Sequence, residues 1–207
     1  MRRERLKIFD NNYKQIGAAY RDEVHLKGYW HEVFHCWVVE KINQQWHLYL
    51  QLRSYSKKDY PGQYDITAAG HLMEDETVED GIRELKEELG IDVSYPQLRL
   101  LGVIPYAIDN EIIKDYEFAN VFLYEHKGGL EEFKIQREEL DGIYLVNLDD
   151  FVRLAQKEVE TIEAQGYCYK SNVKMEQTIQ IGLNEMSALP ASYLNQLIPK
   201  IQNYLMK

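Results

Sequence analysis

Between Glu74 and Asp92 the chain carries nine acidic residues against two basic ones, Arg83 and Lys86, and this stretch restricts the fold more than any other. Thr77 followed by Asp80 has capping-box spacing, in which the hydroxyl accepts a backbone N–H and the carboxylate suits the positive helix end. Gly90 supplies a stop. A helix is therefore expected over about 78–89. At about 3.6 residues per turn, Val78, Ile82, Leu85 and Leu89 share one stripe. Asp80, Glu84, Glu87 and Glu88 share another, roughly opposite. The first stripe has to be buried. The second forms an outer ridge of like charges whose neighbours lie about 5–6 Å apart at Cβ. At an effective dielectric near 20, each such pair repels by about 3 kcal/mol before salt screening. A merely solvated face interleaves its signs, so this ridge is expected to hold a divalent cation. Hard oxygen ligands without thiolate favour Mg²⁺, with Mn²⁺ as the alternative. Arg83 lies beside the ridge and suits bidentate orientation of its carboxylates.

The flanks supply a sheet. Residues 5–20 alternate around Asn11-Asn12 and predict a hairpin. Strands are expected at 33–39, 46–53, 65–70, 98–106, 115–125 and 142–147, with a Pro61-Gly62 loop after the second and a helix near 148–159. Residues 160–207 read as mostly helical, from Ile179, Leu183, Met186, Leu194, Leu197, Ile201 and Leu205 at helical spacings. Strands mixed with flanking helices predict an α/β layered fold. The 207 residues are 45% hydrophobic, enough for a real core. A net charge of -10 argues against a nucleic-acid polymer or an anionic membrane as partner. Cys36 and Cys168 are too far apart for a disulfide framework or a metal-spaced cluster. The charged N-terminal stretch has no apolar run behind it, and no apolar run reaches the length of a membrane span. A cytoplasmic protein is the expectation.

Gly70, Glu76 and the run from Arg83 through Glu84, Leu85, Lys86, Glu87, Glu88, Leu89 and Gly90 to Ile91 resemble the Nudix box, G-x5-E-x7-R-E-U-x-E-E-x-G-U with U aliphatic. The second half matches at every fixed position. The first half is one residue short between Glu76 and Arg83, so either Glu76 or Asp75 fills the role of the first glutamate. The resemblance implies a Nudix-type α/β/α sandwich with a mixed sheet. It also implies Mg²⁺-dependent hydrolysis of a small organic diphosphate, such as a nucleoside-diphosphate-linked compound, with Glu84, Glu87 and Glu88 as metal ligands.

A wider match, over about 25–125, resembles the isopentenyl-diphosphate isomerase branch of the superfamily. Arg53 and Lys57 in RSYSKKDYPGQYD match its phosphate-contacting loop. His25, His31 and His71 match its metal-binding histidines approximately. Asp115 and Glu117 match its paired acidic ligands, and strand alternation puts them on one face. The isomerase carries a cysteine just before the Gly-His pair; here Ala68-Ala69 precede Gly70-His71, and a methyl group moves no proton. Hydrolysis is therefore preferred over isomerisation. A catalytically weak nucleotide-binding regulator is the third reading.

The expected division is a Nudix domain over 1–159 and a C-terminal helical extension over 160–207 that packs on the domain or on a partner, as in a homodimer. Glu84, Glu87, Glu88, Glu117 and Arg83 are the catalytic candidates. Arg53, Lys57, His71 and Gly70 are the substrate-binding candidates, and Glu84, Glu87, Glu88, Glu117 and Asp115 the metal ligands. Glu88 or a loop carboxylate is expected to orient or deprotonate the attacking water, and among the loop carboxylates Glu117 is ranked ahead of Glu138 and Glu139. His71 stands evenly between ligand and hydrogen-bonded polar residue. His25 and His31 are read as structural, and His35 as an ordinary strand residue.

Overall fold

Strand β3 (Trp30–Ile42) is the spine of the molecule. Its residues alternate between two cores: Val33, Trp37 and Val39 enter one, Phe34, Cys36 and Val38 the other. One edge of β3 takes β8 (Lys114–His126) in parallel, from Trp30 beside Tyr116 to Glu40 beside His126. The other edge takes three antiparallel partners in turn: β1 (Arg5–Phe9), β6 (Ala68–His71) and β4 (Gln45–Arg53). The short β5 (Tyr64–Asp65) pairs with β4 where β4 and β3 diverge. Thr67 staples that divergence, its hydroxyl accepting the Val38 N–H at 3.0 Å and donating to the Tyr49 carbonyl at 2.5 Å. Outside these lie β2 (Gln15–Tyr20) on β1, β7 (Arg99–Asp109) on β8, and β9 (Leu140–Asn147) on β4.

This computed structural model describes residues 4–110, 113–171, 173–187 and 189–206. Residues 1–3 of the charged N-terminal stretch and residue 207 of the C-terminal segment lie outside it.

Helices cover both faces. Helix α1 (Arg21–Lys27) follows β2 and packs against β8. Helix α2 (Arg83–Leu89) lays Leu85 and Leu89 on the core of Phe34 and Phe122, with Val78 and Ile82 packed beside them. The opposite core is covered by α3 (Leu148–Ala155), through Phe151, and by α4 (Ala191–Leu205), through Tyr193, Leu194, Leu197 and Ile201. The expected sandwich, a mixed sheet between helical layers, is the observed architecture.

Two expectations change. The helix expected over 78–89 begins as a 3₁₀ segment, Val78–Ile82, and becomes α-helical only at Arg83. Five 3₁₀ residues at about 2.0 Å rise cover the length of six to seven α-helical ones at about 1.5 Å, which absorbs the residue missing between Glu76 and Arg83. At its start the Thr77 hydroxyl donates rather than accepts: the Asp80 carboxylate takes both the Thr77 N–H and O–H at 2.7 Å. Second, residues 160–207 are not mostly helical. Strands β10 (Thr161–Lys170) and β11 (Val173–Gly182) form a hairpin that continues the sheet beyond β9, and among the described residues of this segment only Ala191–Leu205 is a regular α-helix. Ile162 and Ala164 reach the core while Glu163 and Gln165 face out, an alternation that the spacing of Ile179 and Leu183 conceals.

Candidate functional site

Only part of the acidic ridge faces outward. Glu88 lies about 60° from Leu85 around the axis at about 100° per residue, so seating the apolar stripe carries Glu84 and Glu88 to the sheet. They are 8% and 6% exposed, whereas the Glu87 side chain remains 56% exposed. Gly70 on β6 makes this contact feasible: a Cβ there would stand 1.9 Å from Glu84 Oε1. Glu88 accepts the Ala69 N–H at 3.1 Å. The Arg83 guanidinium ties the helix to its junction, with Nε 2.7 Å from Glu76, Nη1 2.6 Å from Glu84 and 3.0 Å from Glu87, and Nη2 donating to the His71 carbonyl at 3.0 Å. Glu76 also accepts the Met73 N–H at 2.9 Å. Of the two candidates, Glu76 rather than Asp75 pairs with Arg83. Burial pushes Glu84 up to about 7, and pushes Glu88 well above the carboxylate range.

Around β6 lies a second cluster. The parallel register sets His31 beside Glu117, and the β3–β6 register sets Val33 beside His71. These residues share the odd-numbered face of β3 and β8, and α1 adds His25. One ligand atom from each of His25, His31 and His71 lies within 4.8 Å of the others, and so do those of His31, Asp115 and Glu117. Asp115 Oδ1 is 3.6 Å from His25 Nε2 and 3.5 Å from His31 Nε2; Glu117 Oε1 is 3.9 Å from His31 Nε2. Nε2 of all three histidines and Oδ1 of Asp115 are buried without a hydrogen-bond partner. Four orphaned polar atoms aimed at one point are rare, because each costs about 1–3 kcal/mol of lost solvation. Burial holds His25 down to about 4, His31 to about 3 and His71 well below the usual imidazole value, so they are neutral lone-pair donors at pH 7. Burial lifts Asp115 to about 6; burial, then the Asp115 charge, lifts Glu117 well above its usual range. Neutral imidazoles with paired carboxylates are a donor set that fits a divalent transition ion such as Mn²⁺. His25 and His31, expected to be structural, have no hydrogen-bond partner at Nε2.

Both clusters border one cavity of about 420 Å³. Among the described residues, its lining holds nine carboxylates against the four cations Arg21, Arg53, Lys57 and Arg83; an anionic ligand would be repelled from it unless counter-cations were present. Arg53 lines the cavity but is clamped by Asp65 at 3.0 Å and by the Asp59 carbonyl at 2.9 Å, which holds the loop over the site. Lys57 also lines it and is paired with Glu139. Glu139 borders the cavity; Glu138 is exposed and does not. Val33, Ile66, Ile108 and Leu189 add an apolar part to the wall. Cys36 is fully buried, away from this lining. Among the described residues no helix is long and apolar enough to cross a membrane.

The family description NUDIX domain matches residues 31–165. An uncharacterised Nudix hydrolase of Clostridium acetobutylicum is 36% identical over 195 residues, covering 93% of each chain. An isopentenyl-diphosphate Delta-isomerase of Salmonella paratyphi B is 31% identical over 120 residues, 54% of this chain and 65% of that protein. A crystal structure of a Deinococcus radiodurans protein superposes with a TM-score of 0.54 at 19% identity, covering 75% of this chain and 89% of that one, a likeness of fold. Since the family match runs from β3 through α2 into β10, well over half of the chain, the chain belongs to the Nudix family of pyrophosphohydrolases.

Proposed function

We propose that this chain hydrolyses the diphosphate of a small organic diphosphate ester, using divalent cations held by two neighbouring sets of side chains. The first set is Glu84, Glu87 and Glu88; the second is His25, His31, His71, Asp115 and Glu117. The observation that carries this reading is the group of unpartnered Nε2 and Oδ1 atoms at the edge of the carboxylate-lined cavity. Bound Mg²⁺ or Mn²⁺ supplies Lewis acidity and an activated water. Arg83 holds Glu76, Glu84 and Glu87 in one arrangement, and Gly70 leaves Glu84 its room. Arg53 and Lys57 sit where a diphosphate would displace their carboxylate partners and take their donors. Glu117, facing the ligand atoms from β8, is the first choice for general base, with Glu139 across the cavity as the second. At about 420 Å³ the cavity is at the small end of ligand sites and suits a compact diphosphate with an apolar group better than a dinucleotide.

The likeness to an isopentenyl-diphosphate isomerase supports an isoprenoid diphosphate as one substrate to try, but Ala69 beside Gly70 offers no proton for isomerisation. Phosphate release should be followed with Mg²⁺ and with Mn²⁺ across isoprenoid diphosphates, nucleoside diphosphates, nucleotide sugars and dinucleotides. Turnover of a compact diphosphate that disappears in the Glu87→Gln, Glu88→Gln double variant is the expected result. Full metal-dependent hydrolysis by that variant, folded, refutes the mechanism. Solvent deuterium appearing in isopentenyl diphosphate would favour the isomerase instead.

A further inference from the structure

Tyr193 of α4 is completely buried beneath β3. Its hydroxyl oxygen is 3.0 Å from Trp37 Nε1 and 3.0 Å from His35 Nδ1. An indole nitrogen only donates, so the oxygen accepts from Trp37. The hydroxyl proton is then free for His35 Nδ1, and leaving it idle in a buried site would be unfavourable. With Nδ1 accepting, neutral His35 carries its proton on Nε2. That nitrogen is 3.6 Å from Glu117 Oε2, the oxygen that also accepts the Tyr106 O–H, while Glu117 Oε1 faces His31.

We propose that Tyr193 is a positioning residue of the active centre: through His35 it presents an N–H dipole to Glu117 and holds that carboxylate with its other oxygen turned to the histidine cluster. This rests on the proposed role of Glu117. It makes the C-terminal helix part of the site rather than a cover for the sheet. Without the hydroxyl, Nδ1 loses the donor that fixes the Nε2–H tautomer, and His35 gains access to the Nδ1–H form, whose Nε2 lone pair faces a carboxylate oxygen and pushes it away. Tyr193→Phe keeps the ring in its pocket and removes only the oxygen. His35→Gln keeps an amide N–H near the Nε2 position whatever Tyr193 does.

The test has two readouts. Long-range ¹H–¹⁵N spectra of the metal-free protein report the His35 tautomer, with the His35→Gln spectrum assigning the resonances. Mn²⁺ titration followed by electron paramagnetic resonance reports the affinity of the site. The wild type is expected to show the Nε2–H tautomer, and Tyr193→Phe to lose it and bind Mn²⁺ about five- to tenfold more weakly, the worth of one hydrogen bond. In the His35→Gln background, Tyr193→Phe should change Mn²⁺ affinity less than about twofold. An Nδ1–H tautomer in the wild type overturns the proposal without any variant. So does an unchanged tautomer in Tyr193→Phe, or an equal loss of affinity in both backgrounds, which marks a merely structural role. If the wild type binds no Mn²⁺, the functional reading of Glu117 falls, while the tautomer readout still decides whether Tyr193 orders His35.

Discussion

Replacing Gly70 by alanine tests the site with a single methyl group. The backbone there is ordinary β6 strand, so no strain arises from φ. The clash is with Glu84, whose Oε1, Cδ and Cγ would stand 1.9, 2.2 and 2.9 Å from the new Cβ. Heavy atoms do not approach a Cβ closer than 3.0 Å, so the carboxylate must retreat by more than an ångström. Metal–ligand distances tolerate only about 0.2 Å, and a displaced carboxylate leaves the ligand set. Loss of a charged ligand should lower kcat/KM at least about 100-fold, or about 2.7 kcal/mol of transition-state stabilisation.

Stability should change far less. The methyl displaces the end of a flexible side chain, and Arg83 keeps its bonds to Glu76 and to the His71 carbonyl. About 1 kcal/mol is at stake, a shift of about 2–4 °C in a chain of this size. The assay is diphosphate hydrolysis at saturating Mg²⁺ beside a thermal melt without metal. Adding Glu84→Asp, one methylene shorter, should restore part of the activity. Near wild-type kcat/KM in Gly70→Ala, with Glu84→Gln inactive, would refute the claim that Glu84 acts from its place against β6.

Other outcomes follow from the same geometry. Glu84 and Asp115 are lifted by burial to about 7 and about 6, so a cation must displace their protons. The thermal stabilisation by a fixed Mn²⁺ concentration should therefore grow from about pH 5.5 to pH 8, and titration calorimetry in buffers of different ionisation enthalpy should show protons released; a flat profile contradicts the assignment. Without metal, His25 at about 4 and His31 at about 3 have folded values below the unfolded imidazole, so their contribution is present above about pH 6.5 and is lost as pH falls toward 4. Those two carboxylates run the opposite way, stabilising at low pH and losing that contribution as pH rises through about 6 and 7; His25→Gln with His31→Gln should flatten only the acid limb of a denaturation series. Arg83→Lys should lower kcat/KM by tenfold or more, because one ammonium cannot reach Glu76, Glu84, Glu87 and the His71 carbonyl together. Ending the chain before Ala191 removes the buried Tyr193, Leu194, Leu197, Ile198 and Ile201, worth about 7.5–15 kcal/mol at about 1.5–3 each. That matches the whole stability of a typical domain, so the truncated chain should show no cooperative melt.

The legible parts of the sequence were those whose physics is local. The helix from Arg83 to Leu89, its apolar stripe, the hairpin about Asn11-Asn12 and the strands flanking the site follow from periodicity and turn residues. The pairing of Glu76 with Arg83 lay beyond that reach because the spacing permits Asp75 as well, and a 3₁₀ turn decides it. His25, His31 and His71 come from α1, β3 and β6; the resemblance groups them only approximately, and it is the sheet register together with the packing of α1 on β8 that joins them to Asp115 and Glu117. No spacing rule links five residues on four elements. The β10–β11 hairpin is hidden in the sequence because many of its exposed positions are Glu, Gln and Lys, good helix formers, while pairing with β9 settles the strand state. His35 looked ordinary until α4 delivered Tyr193 to it across 158 residues.

The parallel pairing of β3 with β8 has a kinetic consequence. Trp30 and Tyr116 stand 86 positions apart, and closing a loop of that length costs about 4 kcal/mol of chain entropy in its length-dependent part. The histidine–carboxylate cluster spans both strands, so it does not exist until that closure is complete. Where that closure follows the folding barrier, a cation bound there acts only on the native side of it. Saturating Mn²⁺ should leave the refolding limb of a chevron where it is and lower the unfolding limb, turning the cluster into a latch on a sheet that assembles at its own pace.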